Sequence, residues 1–136
     1  MVVDKKILDE LTAKAKENPR LRCNLDMRNS ADEQSQRMLN ALEPGTVMPI
    51  HWHLASSETV IIIRGRIRWL FYDEQGRITE FTELWSDGDV RMLNVEKGRW
   101  HSLECLESGS VLFEAKDGQY HPLEEDEIFQ LPESRK

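Results

Sequence analysis

Two histidines separated by one residue, His51 and His53, set the tightest limit on what this chain can become. On a β-strand, residues i and i+2 project from the same face, about one pleat apart. Two imidazoles placed that way can chelate a single ion. Glu58 follows after a four-residue gap that reads as a tight turn, so the chain can return antiparallel and bring a carboxylate beside the pair. The chain has only four histidines, and a third, His101, begins a later strand-like run from which it could supply another nitrogen. Three imidazoles and a carboxylate form a borderline, mixed N/O donor set. That set suits zinc, iron, nickel or manganese better than calcium, and it could leave one or two positions open for water or substrate. Several buried imidazoles and a carboxylate with no ion among them would be costly, which also favours a metal.

The surrounding sequence predicts mostly strands. Residues 4–16 read as a helix, with Val3, Ile7, Leu8, Leu11 and Ala15 on one stripe, Asp4 as N-cap and Asn18-Pro19 as the stop. Strands are then expected over 21–28, 36–42, 47–54, 58–64, 66–72, 78–84, 90–95, 100–106 and 110–115. Glu43-Pro44-Gly45-Thr46, Ala55-Ser56-Ser57, Asp73-Glu74-Gln75-Gly76, Asp87-Gly88-Asp89, Lys97-Gly98 and Ser108-Gly109 punctuate them. Many short strands with glycine turns point to a β-sandwich or barrel. The polar, acidic tail from Asp117 either wraps that barrel or stays loose.

At 136 residues the chain reads as one domain, 1–136, with a helix over about 4–16, a barrel over about 20–116 and the tail beyond. A net charge of −7 argues against a nucleic-acid or anionic-membrane partner, since both need a basic surface. The one basic cluster, Arg64, Arg66 and Arg68, lies in a strand-like run and reads as rim. Cys23 and Cys105 form neither a CxxC pair nor a disulfide framework, and no signal peptide is read at the N-terminus, so a cytoplasmic setting is expected. The longest apolar run, Val60-Ile61-Ile62-Ile63, is far too short to span a bilayer. No serine triad, P-loop or dinucleotide fingerprint is present.

The spacing Gly45, His51, His53, Glu58, Gly65 resembles the first motif of the cupin superfamily at every fixed position. The family's second motif is partial: Gly98 and His101 are correctly spaced, but Glu96 replaces its proline, Cys105 its asparagine, and Gly88 is two residues too far upstream. Residues 36–46, Arg64-Gly65-Arg66, Trp100-His101-Ser102-Leu103, 106–111 and 113–118 are further similar to the WbuC family of small cupin metalloproteins. The resemblance covers roughly residues 4–122. It implies an all-β cupin double-stranded β-helix (jelly-roll barrel) with an N-terminal α-helix, and one divalent metal on His51, His53, Glu58 and His101. It also implies a homodimer. The family's name, taken from an O-antigen cluster, points to a sugar derivative as small-molecule ligand.

Other residues are placed only by alternation. Gln36 and Asn40 share one face of a strand and are candidate pocket residues, with Arg37, Leu39 and Ala41 on the opposite face. Cys105 shares a face with His101 and Leu103, so it either approaches the metal or is a small buried hydrophobe. Trp52 and Trp100 should face away from the ligands, Trp69 and Trp85 should be core, and His121 should be exposed. No acid or base other than Glu58 is placed by a motif, so no catalytic residue is assigned. Two functions fit: an enzyme acting on a sugar or other small molecule through an open metal site, or a non-catalytic binding module with a structural metal.

Overall fold

The computed structural model describes residues 1–130; the end of the expected tail, 131–136, lies outside the described residues. The N-terminal helix α1 runs Lys5–Glu17. Asp4 caps it by accepting from the Ile7 amide, 3.0 Å away. Eight strands follow: β1 Arg22–Asp26, β2 Ser35–Leu42, β3 Glu58–Arg64, β4 Arg66–Tyr72, β5 Ile78–Trp85, β6 Met92–Val95, β7 His101–Cys105 and β8 Ser110–Asp117. They form a five-stranded sheet, order β1-β2-β8-β3-β6, and a three-stranded sheet, order β5-β4-β7. All pairings are antiparallel.

Alternation along these strands builds two apolar layers. One lies between the sheets and includes Leu42, Val60, Ile62, Leu112, Ile67, Trp69, Phe71, Leu84 and Leu103. The other lies on the outer face of the larger sheet, where Leu11 and Ala15 of α1 meet Leu39, Ala41 and Val111. The outer layer fixes the inner one: because Leu39 and Ala41 face the helix, Gln36 and Asn40 face the space between the sheets.

Gly65 is the corner at which the chain leaves one sheet for the other. Its φ is +87°, and a Cβ there would stand 2.3 Å from Ser110 Oγ and 2.7 Å from Ser110 Cα. Only glycine meets both demands.

Two expectations are corrected. Residues 47–54 are not a strand; they run as connecting chain with isolated bridges at His51 only. Pro49 has no N–H to give, and its neighbours bond to different partners instead of one ladder. Ile50 accepts from Phe129, His51 exchanges bonds with His101, and the Trp52 amide donates to Glu127. Trp85 is not core but 39% exposed, because it ends edge strand β5; Arg66 lies over its ring. The three arginines of the basic cluster are ion-paired, Arg64 with Asp9, Arg66 with Glu83, and Arg68 with Glu83 and Glu104. Among the described residues no helix is long and apolar enough to cross a membrane.

The tail wraps the barrel as far as residue 130. A 3-10 turn, Glu125–Glu127, carries Ile128 into a bridge with His51, and the Phe129 ring meets Trp100 edge-on. Trp52 and Trp100 do face outward from the histidines, as expected. They stack with ring centroids 4.0 Å apart, and Trp52 Nε1 donates to Asp126 O.

Candidate metal centre

His51 and His101 are directly opposed residues of an antiparallel bridge, each amide donating to the other's carbonyl at 3.0 and 2.9 Å. Opposed residues share a face, so their rings lie 4.3 Å apart. His53, two residues on, returns to that face 5.2 Å from the His51 ring, and its carbonyl accepts from the Gly98 amide. Glu58 opens β3 and is 4% exposed. The turn over 54–57 therefore does what the spacing suggested, and Glu58 Oε1 stands 3.2 Å from His101 Nε2 and 3.5 Å from His53 Nε2.

The three imidazoles offer donor atoms within 4.8 Å of one another. Donors about 2.1 Å from one ion and at right angles to each other stand about 3 Å apart, so the carboxylate–imidazole separations suit a shared ion. The tautomers agree. His51 Nδ1 meets Pro49 O at 2.8 Å, and His101 Nδ1 meets Arg99 O at 2.8 Å. A carbonyl can only accept, so Nδ1 carries the proton on both rings and Nε2 is left to face inward. His101 Nε2 is fully buried with no well-directed hydrogen bond, yet it abuts a carboxylate oxygen. Two acceptors in contact call for a cation between them.

The electrostatics point the same way. Burial, and next the neighbouring His101, push His51 down to about 3, so it stands as a neutral imidazole. Burial alone would raise Glu58, but contacts with His101 and His53 outweigh it and hold the carboxyl below its usual range. Trp69 of β4 stacks on the His101 ring at 5.2 Å and walls off one side.

A cavity of about 390 Å³ opens beside these residues. Gln36 and Asn40 line it, so both candidate pocket residues reach it. Cys105 does not. Its Sγ lies 3.4 Å from Leu42 O and 3.2 Å from Glu107 O within the core between the sheets, and burial raises its pKa. Two pleats separate Cys105 from His101, which is too far along β7 for a shared site. Cys23 is half-buried and lines the cavity. His121 is exposed, at the cavity mouth.

Sequence reading missed Glu114 and Lys116 of β8, which also line the cavity. Burial, and next the Glu58 carboxylate, push the Glu114 carboxyl up to about 8. Counting pleats from buried Leu112 would have found both residues, but Phe-Glu-Ala-Lys-Asp reads as an ordinary solvated strand end.

Residues 3–84 match the family model described as a domain of unknown function (DUF6016). No curated protein matches the chain. Among solved structures, KdgF from Halomonas sp. superposes with a TM-score of 0.60 at 14% identity, over 76% of this chain and 84% of that one. Oxalate decarboxylase from Bacillus subtilis, in a study of its Mn(II) centres, superposes with a TM-score of 0.56 at 26% identity over 81% of this chain. This chain spans 28% of that protein. Both are cupins, and the fold described above is the cupin barrel.

Proposed function

The chain belongs to the DUF6016 family, and we propose that it is a metal-dependent cupin enzyme acting on a small molecule in the cavity beside His51, His53, Glu58 and His101. The observation that carries this reading is the buried contact of His101 Nε2 with Glu58 Oε1, two acceptors 3.2 Å apart, with the His101 ring already fixed through Nδ1 by Arg99 O. In this reading the three histidines bind as neutral imidazoles and Glu58 as a carboxylate. Pro49 and Arg99 carbonyls fix two of the rings. When bound, the ion supplies Lewis acidity and a water of lowered pKa. Glu114 is placed to hold or release a proton across the cavity.

The open cavity favours an enzyme over a module with a closed structural site. Manganese leads the candidate ions, ahead of iron, nickel and zinc. The Bacillus subtilis oxalate decarboxylase carries Mn(II) centres, and a carboxylate among the donors suits that ion. The finer resemblance to WbuC-type cupins supports a sugar-derived substrate of surface-polysaccharide synthesis.

Elemental analysis of the purified protein beside a His51→Ala/His53→Ala variant tests this. About one transition metal per wild-type chain, lost in the variant, is the expected result. No metal in either protein, even after reconstitution, would overturn it.

A further inference from the structure

Strand register divides the inner face of the larger sheet into rows. Gln36, Lys116 and Glu58 stand side by side in one, and Met38, Glu114 and Val60 in the next. Asn40, Leu112 and Ile62 form the third. Cross-strand neighbours share a face, so Lys116 sits on the same wall as the candidate ligand Glu58. Lys116 is half-buried, and among the described residues it makes no ion pair. Arg22, whose Nη1 donates to Val47 O at 2.7 Å, and exposed Arg20 also line the cavity. The lining sets three cationic side chains, Lys116, Arg20 and Arg22, against two carboxylates, Glu58 and Glu114, and Glu58 belongs to the candidate metal centre. The wall is therefore short of negative charge.

Two further atoms want partners. Asn40 is 5% exposed and Trp69 2%, and both line the cavity. Asn40 Oδ1 and Trp69 Nε1 are buried with no hydrogen-bond partner among the described residues. An orphaned acceptor and an orphaned donor in one cavity call for groups that supply both roles. A hydroxyl does this, whereas a carboxylate cannot satisfy Asn40 Oδ1. Three cations against two carboxylates leave an excess of one positive charge, which matches one carboxylate on the occupant. The helix end at the cavity is the C-terminal one, at Asn18, whose dipole disfavours a phosphate dianion. The volume is at the small end for ligand sites.

We propose that this cavity binds a small hydroxycarboxylic acid, with Lys116 taking the carboxylate and Asn40 and Trp69 taking hydroxyl groups. The proposal rests on the metal-centre reading for the neighbouring Glu58, and it adds the chemical class of the occupant.

Calorimetric titration of the metal-loaded protein with three six-carbon probes tests it. Gluconate carries both features, sorbitol lacks the carboxylate, and hexanoate lacks the hydroxyls. Gluconate is expected to bind about tenfold or more tightly than either, the scale of one charged hydrogen bond. Lys116→Gln should remove that advantage over sorbitol, Lys116→Arg should keep most of it, and Asn40→Leu should weaken gluconate but not hexanoate. Equal binding of gluconate and sorbitol, no binding of gluconate, or a Lys116→Gln variant that binds gluconate as wild type does would overturn the proposal. Metal content measured on the same samples separates the two readings. Protein that holds no metal but binds gluconate through Lys116 removes the metal centre and keeps this proposal. Protein that holds metal but binds gluconate without regard to Lys116 does the reverse.

Discussion

At the scale of single residues, the site is a contest over protons. Glu114 folds with its carboxyl pushed up to about 8, whereas the unfolded chain releases that proton near the ordinary glutamate value of 4.5. Between those values the folded state binds more protons than the unfolded state, so this residue's contribution to stability falls as pH rises. Glu114→Gln should therefore raise the melting temperature of metal-free protein at pH 8 and leave it nearly unchanged at pH 4. Melting curves at the two pH values check this; an equal shift at both would mean that burial does not hold the proton. Gly65 shows a steric limit in place of an electrostatic one. Gly65→Ala puts a Cβ against Ser110 at a φ of +87° and should cost about 2 kcal/mol or more, read by urea unfolding.

At the scale of elements, α1 and the site lie on opposite faces of one sheet. Leu11 is 6% exposed and packs on Leu39, Ala41 and Val111, while Gln36 and Asn40 of the same strand β2 line the cavity. Leu11→Ala should cost about 3 kcal/mol of stability, the usual price of a large core truncation. Metal content per folded chain should stay as in wild type, because no candidate ligand belongs to the helix layer. Unfolding curves beside elemental analysis would show the separation; loss of metal from the folded variant would show that the layers are coupled.

At the scale of the whole molecule, the C-terminal segment braces the candidate ligands. Residues 126–129 bond to Ile50 and Trp52, bridge His51 and abut Trp100. Because 47–54 lacks a ladder of its own, those contacts hold the two histidines of the candidate centre. A chain truncated after residue 118 should release its metal to a chelator faster than the full chain while keeping the far-ultraviolet spectrum of the barrel. Release at the same rate would mean that the bridge to His101 is enough.

Much of this was legible from the chain alone. The helix, its cap, the strands other than 47–54 and the spacing of the candidate ligands follow from local periodicity and glycine placement, which act between residues close in sequence. Pairs such as His51 and His53 share a face on local geometry, and Gly65 is required by a local corner. What tertiary structure decided was everything set by partners distant along the chain. The face of β2 that looks inward was fixed by the helix covering the other. Trp85 is half-exposed because, among the described residues, no strand lies beyond β5, and Cys105 is core because the sheets close over it. Glu114 and Lys116 became cavity residues only when β8 was inserted between β2 and β3. A sequence lists charges in order along one chain, whereas burial and register are properties of surfaces that form only when separate segments meet.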